Sequence, residues 1–279
     1  MTEVAESYYE NGYAILRGLW PSDHVRRLAA SCERILAQWR ECNPQNGEPG
    51  GSPDAHVMRH LNHPGYLEDD DAERLLMLES VASHEAVGFA SDILQTHACF
   101  RCTSLFFNPQ QTSLDGNWHR DSQFHCPDEA DEKQLIAERA HPATSVQMQI
   151  ALIPSDDVEF VPGSHRRWDS DNEYSIRRAD EGANNRSGDM PNALRIGLDP
   201  GDAVAFNPFG LHRGRYHTDK PRLTLMLTYT ADTHPRFDHF SDQPWFDRPG
   251  YLDGLSESAR AFYQRFVDQY GEDWRQDSR

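Results

Sequence analysis

Hydrophobic positions near the start of the chain recur at helical spacing. Val25, Leu28, Ala29, Cys32, Ile35 and Leu36 share one face of a segment that Pro21, Ser22 and Asp23 open. That pattern predicts a helix with Ser22 or Asp23 as its N-cap. Ahead of it, Tyr13 to Leu19 reads as a short strand. Residues 43–56, rich in Gly, Pro and Asn, read as a loop. A second helical stretch is predicted from Asp71 to Leu94. Beyond residue 95 the period changes. "ACFRCTSLFF", "SVQMQIALI", "VEFVPGSH", "LRIGLDPGDAVAFNP" and "RLTLMLTYT" are strand-like runs separated by Pro, Gly and Asp turns. Such spacing predicts an all-β barrel or double sheet. The tail from Ser256 to Trp274 returns to helical spacing, with Leu255, Ala259, Phe262, Phe266 and Tyr270 on one face. Residues 166–193 follow neither period. They are polar, charged and nearly free of aliphatics, which reads either as a lid or as a solvated loop.

These elements assemble into one mainly β domain with flanking helices, of the α+β class. Residues 1–95 supply an N-terminal strand and outer helices, 96–232 the β core with its long loop 166–193, and 233–279 a last segment and helix. At 37 % hydrophobic and 26 % charged residues, the composition is that of a soluble globular protein. No run approaches the roughly 18 apolar residues that would span a bilayer, so no membrane partner is expected. The opening "MTEVAESYYENGY" lacks the basic and apolar regions of a secretory signal, which predicts a cytoplasmic location. The formal charge is 27 − 45 = −18, which repels phosphate backbones and argues against nucleic acid. The five cysteines are an odd count without a secretory signal, so no disulfide framework is expected. Cys99 and Cys102 form a CxxC inside a strand-like run with no second pair, and read as ordinary thiols.

The chemistry concentrates in two places. "NWHRDSQFH" places His119 and Asp121 two residues apart, so on an extended segment both side chains share one face. Two ligands do not hold a catalytic metal, and a third must come from elsewhere. "GDAVAFNPFGLHRGRYHTDKPRLTLMLTY" supplies it: a turn at Gly201-Asp202, a short strand, a second turn and then His212. Ten residues on, Arg222 opens a strand. Arg222, Thr224, Met226 and Thr228 share one face of it, and Leu223, Leu225, Leu227 and Tyr229 the other. An arginine on the inner face of a barrel requires an anionic partner, because an unpaired buried charge is costly. A guanidinium matches a carboxylate in a two-bond fork. The pattern is thus His119, Asp121 and His212 on a metal, with Arg222 anchoring an acid-bearing cosubstrate. Two histidines and one carboxylate on one octahedral face is the ligand set of non-heme Fe(II) oxygenases.

Taken together, "YYENGYAILRGLWPSDHVRRL", "WHRD", "EFVPGSHR" and "LDPGDAVAFNPFGLHRGRYHTDKPRLTLMLTY" resemble the phytanoyl-CoA dioxygenase (PhyH) family of Fe(II)- and 2-oxoglutarate-dependent oxygenases, over most of the chain. The resemblance implies a double-stranded β-helix, a cupin-like jelly roll. It implies Fe(II) on His119, Asp121 and His212, with 2-oxoglutarate and O2 as cosubstrates. It places the 2-oxoglutarate arginine at Arg222. It also implies oxidative decarboxylation to succinate and CO2, with hydroxylation of a small-molecule substrate as the usual outcome. Relatives that halogenate replace the carboxylate with a small residue, so Asp121 disfavours that reaction. Two positions depart from the family. Gly214 stands where many members carry a serine, and Gln149 stands where several relatives carry an aromatic beside the cosubstrate.

Around this core several residues have two readings each. Gln147 and Gln149 alternate onto one face and either look into the cavity or line a solvent-facing edge. Phe124 and Gln123 lie just past the metal motif and are candidates for the pocket rim. Arg213 and His217 flank His212 and reach substrate or face water. Trp118 and His125 are candidates for the metal's surroundings or, respectively, core packing and loop. His165 either caps the Pro162-Gly163 turn or touches substrate. The competing functional reading is a jelly-roll protein that binds metal and 2-oxoglutarate without turnover. A zinc hydrolase on the same ligands would leave Arg222 without a purpose.

Overall fold

The computed structural model describes residues 2–42, 52–67, 71–126, 128–139 and 142–277. The loop expected over 43–56 lies, up to residue 51, outside them. The chain opens with α1 (Glu3–Asn11), β1 (Tyr13–Leu16) and α2 (Ser22–Cys42). After β2 (Val57–Arg59) come α3 (Asp71–Val81) and α4 (His84–Leu94). The core then runs through β3 (Ala98–Phe107), β4 (Leu114–Asp115), α5 (Glu129–Arg139), β5 (Ser145–Ala151) and β6 (Ser155–Phe160). The short helices α6 (Asp171–Arg177) and α7 (Ala179–Gly182) precede β7 (Leu194–Leu198), β8 (Ala203–Phe206), β9 (His212–Tyr216) and β10 (Leu223–Ala231). The chain closes with α8 (Glu257–Asp277).

All strand pairs are antiparallel. One sheet has the order β1-β8-β5-β10-β3-β2 and the other β4-β9-β6-β7, and together they form the jelly roll. The alternation in β10 separates two environments. Leu223, Leu225, Leu227 and Tyr229 join the large core that α2, α3, α4 and α8 cover. Thr224, Met226 and Thr228 face the other way. Their cross-strand partners are Ala151, Gln149 and Gln147 on β5 and Phe106, Ser104 and Cys102 on β3. Residues opposed across a ladder share a face, so this row lines the barrel interior. A second apolar cluster (Val158, Phe160, Ile196, Leu198, Val204, Phe206) closes the space between the sheets at one end.

Several local features depart from the expectations. The helical stretch 71–94 is two helices, interrupted at Ala82-Ser83, with Ser83 in extended backbone geometry as N-cap of α4. Helix α2 begins at Ser22 itself, and β1 stops at Leu16. Helix α1 lies in the polar opening that suggested no element. The Thr2 hydroxyl caps it by accepting from the Ala5 N–H, and Gly12 ends it at φ 81°. A side chain at Gly12 would collide with the His165 ring, whose Nε2 donates to the Tyr9 carbonyl at 3.2 Å. His165 therefore ties the turn after β6 to the end of α1. Cys99 and Cys102 are buried and unbridged, and burial pushes the Cys102 thiol up to about 11.

Segment 166–193 buries only Ile176 and Met190 in a small apolar cluster and is otherwise folded by polar contacts. Ser170 and Glu173 form a reciprocal capping box at the start of α6. Both Glu173 oxygens accept from Arg167, at 2.6 and 2.7 Å. Burial pushes the Glu173 carboxyl up, but the Arg167 hydrogen bonds and the Ser170 N–H outweigh it and hold the group at about 2. A carboxyl held below its unfolded value stabilises the fold fully above the unfolded pKa, and that stabilisation is lost as pH falls toward the folded one. Glu173→Gln is therefore expected to lower stability at pH 7 by on the order of 2–3 kcal/mol. The deficit should shrink between about pH 4.5 and pH 2. Urea unfolding of both proteins across that range measures it, and a deficit independent of pH would contradict the ion pair's role.

Candidate active site

The metal motif lies beside β9. His119 and His212 exchange both backbone hydrogen bonds, at 3.1 and 3.0 Å, which brings their rings to 4.3 Å between centroids. Asp121 opens a 3-10 turn (Asp121–Phe124), and its N–H bonds the Pro208 carbonyl at 2.8 Å. Each imidazole is held the same way. Nδ1 of His119 donates to the Asn117 carbonyl at 2.7 Å, and Nδ1 of His212 donates to the Gly210 carbonyl at 2.9 Å. A carbonyl only accepts, so both Nδ1 atoms carry the hydrogen and both Nε2 lone pairs are left for a ligand. Both Nε2 atoms lie 3.6 Å from Asp121 Oδ1. The other carboxylate oxygen, Oδ2, accepts from Gln147 Nε2 at 2.5 Å. The three ligand atoms lie within 4.8 Å of one another, a grouping that could hold a metal ion. Burial, and secondarily His119, pushes the His212 pKa down to about 4, so its imidazole is neutral near pH 7 as ligation requires.

Two residues further along β9 the site changes character. Arg222 is 3 % exposed, with its guanidinium carbon 4.6 Å from the Tyr216 ring centroid and 5.2 Å from that of Phe106. Nη1 donates to the Arg215 carbonyl at 2.9 Å, and Nη2 to Gln149 Oε1 at 3.3 Å. Its Nε and the neighbouring Thr224 hydroxyl are buried without a partner. Among the described residues no carboxylate pairs with it. A buried guanidinium beside an unsatisfied hydroxyl is a cradle for an external carboxylate. Gly214 explains itself here, since a Cβ would lie 2.9 Å from Arg222 Nη1 and would collide with the Tyr216 hydroxyl. The tyrosine and the arginine occupy the space in which a serine side chain would sit. On β5, Gln147 touches the metal end and Gln149 the arginine end. Two strand residues are about 7 Å apart, which suits a short dicarboxylate lying between them.

The remaining candidates divide. Phe124 is 66 % exposed, with its ring 5.6 Å from that of His119, at the rim. Gln123 instead accepts from Arg177 at 2.8 Å. Arg213 does not reach the pocket. It alternates with His212 to the other face of β9, pairs with Glu159, donates to the Arg186 and Ser187 carbonyls, and lies over Trp118. His217 is bound to Asp115 at 2.9 Å, and His125 accepts from Arg236. Trp118 packs in a small core with Val161, Ile176, Met190 and Leu211, and its Nε1 donates to the Ser187 carbonyl.

The residues that hold the motif in place were not singled out from sequence. Arg120, between the two ligands, points into the protein and is fully buried. Its Nε and Nη2 donate to Asp169, and its Nη1 to the Ser164 and Phe209 carbonyls. Asp169 also pairs with Arg177 at 2.6 Å, and Arg177 with Glu132 at 3.0 Å; all four side chains have no exposure. A signal existed: in an HxD on extended backbone the middle residue faces away from the metal, and an arginine there needs a buried anion.

A jelly roll that brings together two histidines, bridged across His119 and His212, and one carboxylate from the turn that follows has the ligand set of the mononuclear non-heme iron oxygenases. The chain belongs to the phytanoyl-CoA dioxygenase (PhyH) family, whose model matches residues 8–224. No curated protein matches the sequence. Among solved structures, EctD from S. alaskensis, with 2-oxoglutarate and 5-hydroxyectoine, is similar with a TM-score of 0.60 and 18 % identity, covering 93 % of this chain and 86 % of that one. The epimerase SnoN from nogalamycin biosynthesis, in complex with Fe3+, alpha ketoglutarate and nogalamycin RO, has a TM-score of 0.56 and 22 % identity over 91 % of each chain. HygX from Streptomyces hygroscopicus, with nickel and 2-oxoglutarate bound, has a TM-score of 0.59 and 14 % identity over 85 % of this chain and 90 % of that one. Among the described residues no helix is long and apolar enough to cross a membrane.

Gln147→Leu should free the Asp121 carboxylate to rotate and weaken divalent-metal binding by about 10–100-fold, read by calorimetric titration, while the unfolding midpoint moves little. Asp169→Asn should leave Arg120 and Arg177 under-compensated and cost about 3–5 kcal/mol, read by urea unfolding.

Proposed function

We propose that this chain is a dioxygenase using Fe(II), 2-oxoglutarate and O2, and that it hydroxylates an aliphatic C–H of a small metabolite or natural-product intermediate. The observation that carries this reading is the buried Arg222, which pairs with no carboxylate among the described residues, with the unsatisfied Thr224 hydroxyl, beside Gly214 on the strand that carries His212 of the His119, Asp121 and His212 cluster. A metal site alone would suit a binding protein or a zinc hydrolase. The arginine cradle beside it serves neither.

When bound, the iron and its cosubstrates supply the oxidising power for C–H attack, with 2-oxoglutarate leaving as succinate and CO2. The chain's own residues do the rest. His119, Asp121 and His212 would hold the metal, as two imidazoles and one carboxylate suit Fe(II). Gln147 keeps one Asp121 oxygen occupied, so the other is aimed at the two imidazoles. Arg222 and Thr224 bind the distal carboxylate of 2-oxoglutarate, and Gln149 fixes the guanidinium's angle through Nη2. Tyr216 and Phe106 shield that ion pair from water on the guanidinium faces, which strengthens it. Phe124 covers the outer edge of His119 and provides an apolar surface at the entrance. Hydroxylation is the simplest outcome of C–H oxidation with the Asp121 carboxylate in place. SnoN, a fold neighbour, is described as an epimerase, so the reaction type is part of the test.

Anaerobic titration of the protein with Fe(II) and 2-oxoglutarate should give the visible charge-transfer band of the chelate. The band should vanish in Asp121→Ala and His212→Ala. Arg222→Ala should demand at least tenfold more 2-oxoglutarate, since truncating one side of a buried charge pair costs roughly 2–5 kcal/mol. A folded protein that gives no band, or a band indifferent to Arg222, would replace the oxygenase reading with that of a metal-binding jelly roll. Oxygen-dependent succinate release with incorporation of labelled oxygen into product would mark hydroxylation.

A further inference from the structure

The inward row of the six-stranded sheet does not end at the cosubstrate. Gln149 is paired with Met226, Met226 with Ser104, and Ser104 with Arg59 on β2. Cross-strand partners share a face, so Arg59 looks into the same concavity as Gln149, from the opposite edge of the sheet. It is partly buried. Among the described residues it has no hydrogen bond and no carboxylate, only the Phe240 ring at 5.1 Å. In a chain with 45 acidic and 27 basic residues, most partly buried arginines have a carboxylate, so this one is conspicuous by its surroundings.

Arg59 is not alone. The ladder between β3 and β10 slips by one residue at Arg101, between the pairs Tyr229–Phe100 and Thr228–Cys102. Arg101, at the slip, also lies against the Phe240 ring, at 5.5 Å. Arg236 joins them, donating to His125 at 3.3 Å. One carboxylate, Asp238, serves both Arg101 at 2.6 Å and Arg236 at 3.2 Å. Two of the three guanidiniums therefore share one carboxylate, and Arg59 pairs with none among the described residues.

The arrangement is built rather than incidental. Asp238 also accepts from the Phe240 N–H at 3.0 Å. Gln243, fully buried, donates to the Arg101 and Phe240 carbonyls at 2.8 Å and accepts from Asn62. His60 Nε2 donates to the His239 carbonyl, and Trp274 Nε1 to that of Ser241. The segment 236–243 is thus pinned as a wall that holds Phe240 against both arginines. Its near end reaches the metal side through the Arg236–His125 bond, four residues past Asp121. Phe124 and Phe237, which flank that bond in sequence, are the two exposed phenylalanines of the described residues.

We infer that Arg59 and Arg101, stacked on Phe240, bind an anionic group of the substrate, a carboxylate or a phosphate, across the cavity from the metal ligands, and so select acidic small molecules. Gln147, which touches Asp121, is separated from the β3 edge of this cluster by two strand spacings, roughly 10 Å. The substrate's acid group and its oxidised carbon are separated by a similar length, with an apolar body against the phenylalanines. The cluster complements, and does not duplicate, Arg222, which holds the cosubstrate at the other end of the row.

This inference rests on the oxygenase reading, and the test separates the two. The protein loaded with Fe(II) and saturating 2-oxoglutarate under argon, its loading followed by the visible band, is titrated calorimetrically. The probes are ω-phenylalkanoates of two to eight carbons, the matching neutral amides, and the matching phenylalkyl phosphates. At least one acid or phosphate should bind tenfold or more tightly than its neutral counterpart, and comparison of the two series tells carboxylate from phosphate. Arg59→Gln should remove that preference, Arg59→Lys should restore part of it, and the band should persist in both. Arg59 has no hydrogen-bonded partner to orphan, so these variants are expected to fold; circular dichroism checks it. A band with no acid or phosphate preferred in any pair, or a preference that survives both Arg59→Gln and Arg101→Gln, overturns the inference while leaving the oxygenase reading intact. Absence of the band strikes the oxygenase reading, and charge-selective binding that still depends on Arg59 would then support the anion site by itself.

Discussion

Arg120 is the residue on which the geometry of the site depends. It sits between two metal-ligand candidates, fully buried, and a guanidinium in that position is tolerated only if its donors are satisfied. They are satisfied by three separate parts of the chain: Asp169 in the polar segment, the Ser164 carbonyl after β6 and the Phe209 carbonyl before β9. The same side chain thereby joins the backbone that carries His119 and Asp121 to the turn that presents His212. Asp169 passes the constraint to Arg177, and Arg177 to Glu132 on α5. Glu132 in turn accepts from Ser122, one residue past Asp121. The charges close a loop around the ligands.

This polar frame carries an energetic cost that an apolar core would avoid, because buried ion pairs return little net stability. Its return is positional. Each donor has one geometry that satisfies it, so the segments cannot slide as apolar layers can. A metal centre needs ligand atoms fixed to a fraction of an ångström. The fixed Nδ1 contacts of both histidines and the Gln147 contact to Asp121 follow the same logic on a smaller scale.

Along the inward row of the six-stranded sheet the side chains pass from the candidate metal site to the residue beside Arg222 to the far edge. Gln147, Gln149, Met226, Ser104 and Arg59 occupy it through strand register alone. The opposite faces of the same strands are almost wholly apolar and meet the helices. Period-two alternation thus divides labour within each strand: one face stabilises the barrel, and the other is left for recognition.

Much of this was legible in the chain. Alternation located the core strands, and helical spacing located α2 and α8, because each buries one face and the burial imposes the period. The candidate metal ligands and Arg222 stood out in the sequence because the proposed chemistry needs those residue types at those spacings, and the fold brings His119, Asp121 and His212 together. The polar segment 166–193 was not. Its order comes from Asp169, Arg177 and a capping box rather than from apolar periodicity, and hydropathy does not register ion pairs. Helix α5 escaped for a similar reason, being acidic with Ile136 as its buried apolar residue, and α1 escaped because its stripe of Val4, Ala5, Tyr8 and Tyr9 is short and set among acidic residues. Arg213 looked like a neighbour of the site because it follows His212, yet alternation turns it to the outer face, where Glu159 holds it. Arg59, Arg101 and Arg236 lie far apart in sequence, each in unremarkable company. Only strand register, a one-residue slip in β3 and the pinned segment 236–243 bring Arg59 and Arg101 to one ring and Arg236 to the Asp238 carboxylate that Arg101 uses. Local sequence determined which faces are buried and which residues can bind a metal. The tertiary structure decided which charges are left without a partner, because compensation depends on what the fold brings within a few ångströms.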